Sequence, residues 1–301
     1  MLERHDRPES WTVGEMVNQS REAQVLAGRA RSTIERGDVC AAHLTRTLGG
    51  DLDVNRANLV LAGEHHLKER RKEDTGDGTI CKEIGYGVMG LWRGKELGLF
   101  GGEPRSFFPT ALHGYSYQPR KRAATPEGFA ALLEAERIAS GRYSWAIPRA
   151  DELCGYAFTG ARQAELFAIP KDGVDLSRRV LTICGTKTKS AVREVPILDE
   201  LMPVVERRLQ TPGPMLFERV WHRQVMHRNL RSWCADAGIE PLTANDLRRT
   251  YATWMAEHGV PESLLLRYMG HASSRMLRAV YTQTTDRMHA DAISKFGSVL
   301  S

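Results

Sequence analysis

Thr243-Ala244-Asn245-Asp246-Leu247-Arg248-Arg249-Thr250-Tyr251 is a helix start that carries an arginine on the edge of an apolar stripe. Thr243 followed three positions later by Asp246 can cap the first turn, where an acid also suits the positive end of the helix dipole. Leu247, Tyr251, Trp254, Met255 and His258 then recur at helical spacing and give one face to bury. Arg248 borders that face, with Asn245 one turn earlier on the same flank. An arginine anchored this way can hold its guanidinium fork still for two oxygens of a phosphate. Read alone, it fits a solvated basic face better.

Composition sets the frame around this helix. The chain has 301 residues, enough for two compact domains, with 42% hydrophobic and 26% charged residues and a net charge of +5. A mildly basic balance permits a polyanionic partner. The five cysteines, Cys40, Cys81, Cys154, Cys184 and Cys234, are scattered and form no C-x-x-C pair. They suggest reduced thiols rather than a zinc site or a disulfide framework. The N-terminus has no apolar signal core, and no apolar run reaches the ~20 residues of a membrane span. The expected setting is cytoplasmic, with no membrane partner.

The first part of the chain reads as helical. Thr12-Val13-Gly14-Glu15 and Ser32-Thr33-Ile34-Glu35 both have the form of capping boxes, and Gly49-Gly50 stops the second helix. A third helix is expected over 55–72 and a fourth from about Ile80 towards Trp92 and Leu97, after a turn at 74–78. Residues 11–98 therefore form an all-helical domain in this reading. The third helix ends in a basic run containing Lys68, Arg70 and Arg71. These side chains suit either DNA phosphates or the negative end of the helix dipole. Glycines and prolines break every period from 98 to 124, and Arg120-Lys121-Arg122 adds a second basic run. That texture predicts an interdomain linker at 99–124 passing near an anion, or a merely solvated loop.

Beyond the linker, Thr125-Pro126-Glu127 opens a helix with proline at the permitted first position. Another helix over about 149–158 leads into Thr159-Gly160-Ala161-Arg162-Gln163-Ala164-Glu165-Leu166. Arg179–Cys184 and Arg193–Ile197 are short β-prone runs joined by the polar connection Gly185-Thr186-Lys187-Thr188-Lys189-Ser190-Ala191. Helices resume over about 198–209 and 222–237, then the 243–258 helix and one opened by Pro261 and closed by Gly270. Ser273 or Ser274 can cap a last major helix carrying Leu277 and Tyr281. The fold expected is mainly α with a small β-hairpin or sheet.

Each polar candidate has a bland alternative. Arg162 could pair with Glu165 at a helix cap, Lys187 could sit solvated on its hairpin, His271 could meet a helix dipole, and Tyr281 could be core. Together they are what a metal-free attack on a phosphodiester requires. Fixed guanidiniums stabilise the charge that builds on the phosphoryl oxygens. A tyrosine hydroxyl is a covalent nucleophile whose phosphotyrosyl link a DNA hydroxyl can reverse. The departing 5′-oxygen needs a proton, which a lysine can supply. No clustered carboxylates of a two-metal nuclease and no G-x-x-x-x-G-K-[ST] loop occur.

These motifs resemble the tyrosine recombinases of the phage-integrase family. The resemblance rests on Thr159–Leu166, the Gly185–Lys189 hairpin before Val195-Pro196-Ile197, Asp246–Thr250, Met269-Gly270-His271 and Tyr281, in the family's order across 125–285. It implies an N-terminal helical core-binding domain and a mixed α/β catalytic domain over 125–285, with a tail at 286–301 that docks on a neighbouring protomer. It also implies that Arg162 and Arg248 clamp the scissile phosphate, Lys187 protonates the leaving oxygen, His271 assists, and Tyr281 forms a 3′-phosphotyrosyl link. The partners implied are double-stranded DNA and three further copies of the chain, a homo-tetramer on two recombination sites that exchanges strands through a Holliday junction without metal, ATP or another cofactor. Accessory DNA-bending proteins and a nucleoid-associated location belong to the same expectation. No arm-binding domain is evident ahead of residue 11, which points to short core sites.

One position departs from the family's pattern. Asn245 stands where His or Lys is usual, three residues before the second arginine. An amide donates a hydrogen bond but does not exchange a proton at neutral pH. Asn is also a good helix cap. Two readings follow: an active recombinase, or a catalytically weak DNA-binding regulator of the same fold.

Overall fold

A computed structural model describes residues 10–116, 122–142, 149–185, 192–218 and 223–270. The chain divides into two compact units, 1–118 and 119–301. Lys187, His271, Tyr281, Arg120 and Lys121 lie outside the described residues, as does the tail from 286. The fold is mainly helical with one small antiparallel sheet. No helix among the described residues is long and apolar enough to cross a membrane.

The first unit is built from α1 (Val13–Leu26), α2 (Arg31–Leu48), α3 (Leu59–Lys72) and α4 (Asp77–Glu96). Thr12 caps α1 as expected: its hydroxyl accepts from the Glu15 N–H at 3.3 Å, and Glu15 Oε2 accepts from the Thr12 N–H at 2.7 Å. The second capping box does not form. Helix α2 begins at Arg31, one residue before Ser32, and its N-cap Ala30 offers no side-chain acceptor. Asn58 caps α3, which therefore starts later than the apolar period suggested. Helix α4 starts inside the expected turn because Gly76 supplies an extended cap.

Two glycines explain how closely these helices pack. A Cβ on Gly90 of α4 would lie 2.1 Å from the Met16 carbonyl oxygen, and one on Gly63 of α3 would lie 2.1 Å from that of Phe107. Around these approaches Val13, Met16, Leu44, Ile80, Ile84 and Leu91 are fully buried. The segment read as linker contributes to the same core. Phe100, Phe107 and Leu112 are buried in it, and Pro104–Phe107 and Thr110–Leu112 form single 3-10 turns.

Among the described residues of this unit, Arg70, His66 and Glu83 form a buried polar cluster. Arg70 Nη2 donates to Glu83 Oε1 at 2.8 Å and Nε to Oε2 at 2.9 Å. His66 Nε2 lies 3.1 Å from Glu83 Oε2, and its Nδ1 lies 2.6 Å from Thr47 Oγ1. Burial pushes the Glu83 carboxyl up, but hydrogen bonds with His66 and Arg70 outweigh it and hold the group at about 2. A buried carboxylate beside a buried guanidinium is the arrangement that makes such a charge tolerable.

In the second unit, Thr125 caps α5 (Pro126–Gly141) by accepting from the Gly128 N–H at 3.0 Å. Helices α6 (Ala150–Thr159) and α7 (Gln163–Leu166) meet at Gly160, whose φ of 63° is the left-handed turn that ends a helix. The sheet is antiparallel in the order β1 (Val174–Asp175), β2 (Val180–Ile183) and β3 (Arg193–Pro196). Its register pairs Leu181 with Val195 and Ile183 with Arg193. Alternation turns Leu181, Ile183, Arg193 and Val195 inward. The two-residue β1 was not legible in the sequence.

Helices α8 (Met202–Leu209), α9 (Arg223–Asp236), α10 (Ala244–Glu257) and α11 (Glu262–Met269) complete the described part. The core gathers Leu153, Tyr156, Ala157, Leu181, Ile183, Val195, Phe217 and Leu247. Helix α10 packs along α6 and α11 and reaches back to the start of the unit. Thr250 Oγ1 accepts from the Ala124 N–H at 2.8 Å, and Trp254 Nε1 donates to the Ala124 carbonyl at 3.1 Å.

Candidate active site around Glu165

The opening stretch folds as its residues dictate. Thr243 Oγ1 accepts from the Asp246 N–H at 3.2 Å, and Asp246 Oδ2 accepts from the Thr243 N–H at 2.9 Å. Thr243 is therefore the cap, and Asn245 is not; it lies exposed in the first turn of α10. Arg248, 6% exposed, projects from the buried side of that helix. Its Nη1 donates to the Gly160 carbonyl at 2.7 Å, and its Nη2 donates to the Met269 carbonyl. Both acceptors stand at helix C-termini, α6 and α11, where carbonyls have no intrahelical partner. One guanidinium thus ties the ends of two helices to the flank of a third.

Arg162 enters from the other side of the Gly160 turn. It is the N-cap residue of α7, and Glu165 one turn later closes on it. Glu165 Oε2 accepts the Arg162 backbone N–H at 2.9 Å and Oε1 accepts Nη1 at 2.6 Å. The Arg162 side chain is 44% exposed whereas that of Glu165 is 4% exposed, so the arginine offers its outer edge to solvent from a fixed base. Its Nη2 also lies 3.5 Å from the Gly270 carbonyl oxygen.

Glu165 proves to be the centre of the arrangement. Beyond Arg162, it pairs with Arg193 at 2.8 Å and with Arg248 at 3.5 Å. Burial pushes its carboxyl up, yet the hydrogen bonds from Arg193 and Arg162 outweigh that effect and hold it at about 2. Three guanidiniums therefore surround one ionised carboxylate. The surplus positive charge, partly screened from water, favours an anion that reaches Arg162. Reading the sequence identified the Arg162–Glu165 pair but missed Arg193. A signal existed: in Arg193-Glu194-Val195-Pro196-Ile197, strand alternation puts Arg193 on the face of Val195 and Ile197. A charge on an apolar face needs a partner.

The structure brings Arg162 and Arg248 together on Glu165, and places the end of α11, one residue before His271, beside them. Positions 187, 271 and 281 lie outside the described residues. The candidate DNA-contacting residues divide. Lys68 is exposed on α3. Arg71 is half-exposed and pairs with Asp77 at 2.8 Å. Arg70 is buried in the Glu83 pair and also bonds Glu73, so it is a core residue rather than a surface contact. The 3.6-residue period brought it to the inner face, which a run of basic letters conceals. Arg122 is tied to the Pro241 carbonyl at 3.0 Å and to Glu240 at 3.2 Å.

With this geometry in place, the comparisons take their meaning. Residues 153–288, which include Arg162, Glu165, Arg193 and Arg248, match the phage integrase family. The chain is 30% identical over 212 residues to the tyrosine recombinase XerD of Xanthomonas campestris pv. campestris, a match covering 62% of this chain and 64% of that one. It thus spans a little under two thirds of that relative's length. Its fold resembles the Tn1549 transposon integrase in complex with transposon right end DNA, with a TM-score of 0.74 at 15% identity over 96% of this chain and 100% of that one. A lambda integrase tetramer bound to a Holliday junction gives 0.74 at 14% identity, over 93% and 81%. The second unit thus carries a match to the phage integrase family, and the chain is similar in sequence to tyrosine recombinases.

Proposed function

We propose that the chain is a site-specific DNA recombinase that cleaves and rejoins strands through a 3′-phosphotyrosyl intermediate. The observation that carries this reading is the Glu165 cluster, which holds Arg162 and Arg248 in one small volume and leaves Arg162 half open. In the reaction, the Tyr281 hydroxyl releases its proton to solvent as its oxygen attacks the scissile phosphorus, and the bond to the 5′-oxygen breaks. Arg162 and Arg248 stabilise the negative charge on the two non-bridging oxygens. Lys187 delivers the proton that the leaving 5′-oxygen takes up, and His271 hydrogen-bonds the phosphate and assists that transfer. Attack by a second strand's 5′-hydroxyl on the phosphotyrosine reverses the step with new connectivity, so bond energy is conserved and neither ATP nor metal is consumed.

The remaining features of the reading follow from this chemistry. Duplex DNA is the substrate, and four protomers join two sites through a Holliday junction; a lambda integrase of similar fold forms a tetramer bound to a Holliday junction. Residues 11–98 and 125–285 act as the two halves of a DNA clamp, with 99–124 between them and 286–301 docking on a neighbour. Lys68 and Arg71 meet the backbone, as do Arg120, Lys121 and Arg122. Accessory DNA-bending proteins join the assembly, and the protein works in the cytoplasm at the nucleoid. The test is a plasmid carrying two copies of the duplex that the chain selects from a random pool. Recombinant product in the presence of a chelator and without nucleotide is expected; no product under any condition refutes the reading.

Asn245 favours a second reading, a DNA-binding regulator with weak cleavage. An exposed amide in the first turn of α10 can donate to a phosphate but cannot carry a proton. Strong, saturable duplex binding with no strand exchange would select this alternative.

A further inference from the structure

We propose that Arg193 is the positioning residue of this site: from the sheet, one guanidinium fixes both the carboxylate that holds the phosphate-binding arginines and the turn that leads to His271. The inference rests on the recombinase reading for its catalytic consequence, but its geometry stands by itself. Arg193 Nη2 donates to Glu165 Oε2 at 2.8 Å, and Nε donates to the Tyr268 carbonyl at 2.6 Å. Its side chain is 3% exposed, too buried to touch duplex DNA. A Cβ on Gly270 would stand 3.0 Å from Arg193 Nη1, so the bare glycine is what lets the guanidinium lie under the last turn of α11. Gly270 also has a φ of 58°, the left-handed conformation that closes that helix.

The topology explains why this residue is placed to coordinate the site. Arg193 opens β3, the strand that follows the connection containing Lys187. One end of its fork meets the carboxylate shared by Arg162 and Arg248, and the other meets the backbone two residues before Gly270. Three pieces of chain that supply proposed catalytic groups therefore converge on a single buried side chain. A lysine can keep the charge but not both directed bonds, because its ammonium has no rigid fork.

Two measurements on the full chain test the proposal, with Arg193→Lys and Arg193→Met as variants. The first needs no cleavage: the Arg162 and Arg248 Nε–Hε resonances of protein labelled with 15N-arginine. Loss of protection or a clear shift of both signals is expected in either variant that melts cooperatively, while unchanged signals overturn the proposal. The second is single-turnover cleavage of a nicked duplex that the wild type selects from a random pool. Cleavage should slow on the order of 10²-fold in Arg193→Lys, the cost of misplacing reacting groups by about an ångström, with duplex affinity unchanged. An unchanged rate, or cleavage lost only in step with duplex binding, overturns it. A wild type that cleaves nothing refutes the recombinase reading instead, and the resonances alone then decide the role of Arg193.

Discussion

Arg193 Nη2 donates to Glu165 Oε2 across 2.8 Å, joining an inward-facing strand position to a short helix 28 residues earlier in the chain. The same carboxylate holds Arg162 through Oε1 at 2.6 Å. Glu165 thereby ties three arginines from separate parts of the chain to one buried carboxylate.

Removing that charge should be costly. Glu165→Gln leaves three guanidiniums with a neutral neighbour, and breaking a buried pair from one side costs about 3–5 kcal/mol. Urea denaturation followed by tryptophan fluorescence reads the change. A loss below about 1 kcal/mol, the range of a surface pair, would contradict the structural account.

Arg248→Lys should behave as a severe substitution. A lysine cannot serve the Gly160 and Met269 carbonyls while presenting a planar fork to a phosphate. Cleavage of a nicked duplex is expected to fall by about 10²–10³-fold, the usual cost of one lost transition-state donor. Full activity in this variant would remove Arg248 from the phosphate clamp.

Acid should destabilise the first unit through Glu83. Its carboxyl is held at about 2 in the fold against an ordinary value of 4.5, so its contribution is present above about pH 4.5 and fades as pH falls towards 2. The difference is about 3 kcal/mol, and Glu83→Gln should abolish that part of the pH dependence. Parallel stability profiles of wild type and variant between pH 5 and 2 would show that the Arg70–His66–Glu83 cluster does not set it.

Two alanines on one helix should act oppositely. Gly90→Ala forces a methyl against the Met16 carbonyl and should cost about 1–3 kcal/mol. Gly85→Ala meets nothing within 4 Å and should stabilise α4 by about 0.5–1 kcal/mol through helix propensity. Thermal melts of both variants check the pair, and equal effects would contradict the close approach of α1 and α4.

Asn245→His separates the two functional readings. If proton transfer limits the rate, the imidazole should accelerate cleavage by about 10²-fold or more. An unchanged rate would make the amide a competent substitute at this exposed position.

Much of this was legible because local chemistry and tertiary packing agree. Thr243 and Asp246 form the capping box that their spacing announces, and Leu247 and Tyr251 are buried as the stripe requires. Where they disagree, the sequence misleads. Ser32 looks like a cap, but α2 already starts at Arg31. Arg70 looks like part of a basic surface, but the helix period turns it to Glu83. The glycine- and proline-rich stretch after Gly98 hides Phe100 and Phe107, whose burial depends on α3 and α4 rather than on any period of their own. Arg193 was missed for a related reason: its partner Glu165 is distant in the chain, and no local rule connects them.

The central claim is that Tyr281 attacks a phosphate held by Arg162 and Arg248. A nicked duplex built on the selected sequence, incubated with wild type, Tyr281→Phe and Arg248→Ala, tests it in one denaturing gel. The account predicts a covalent protein–DNA adduct with wild type, joined to the 3′-phosphate through the peptide containing Tyr281, and none with either variant. An adduct that survives Tyr281→Phe, or wild type that binds the duplex tightly and forms none, would contradict it.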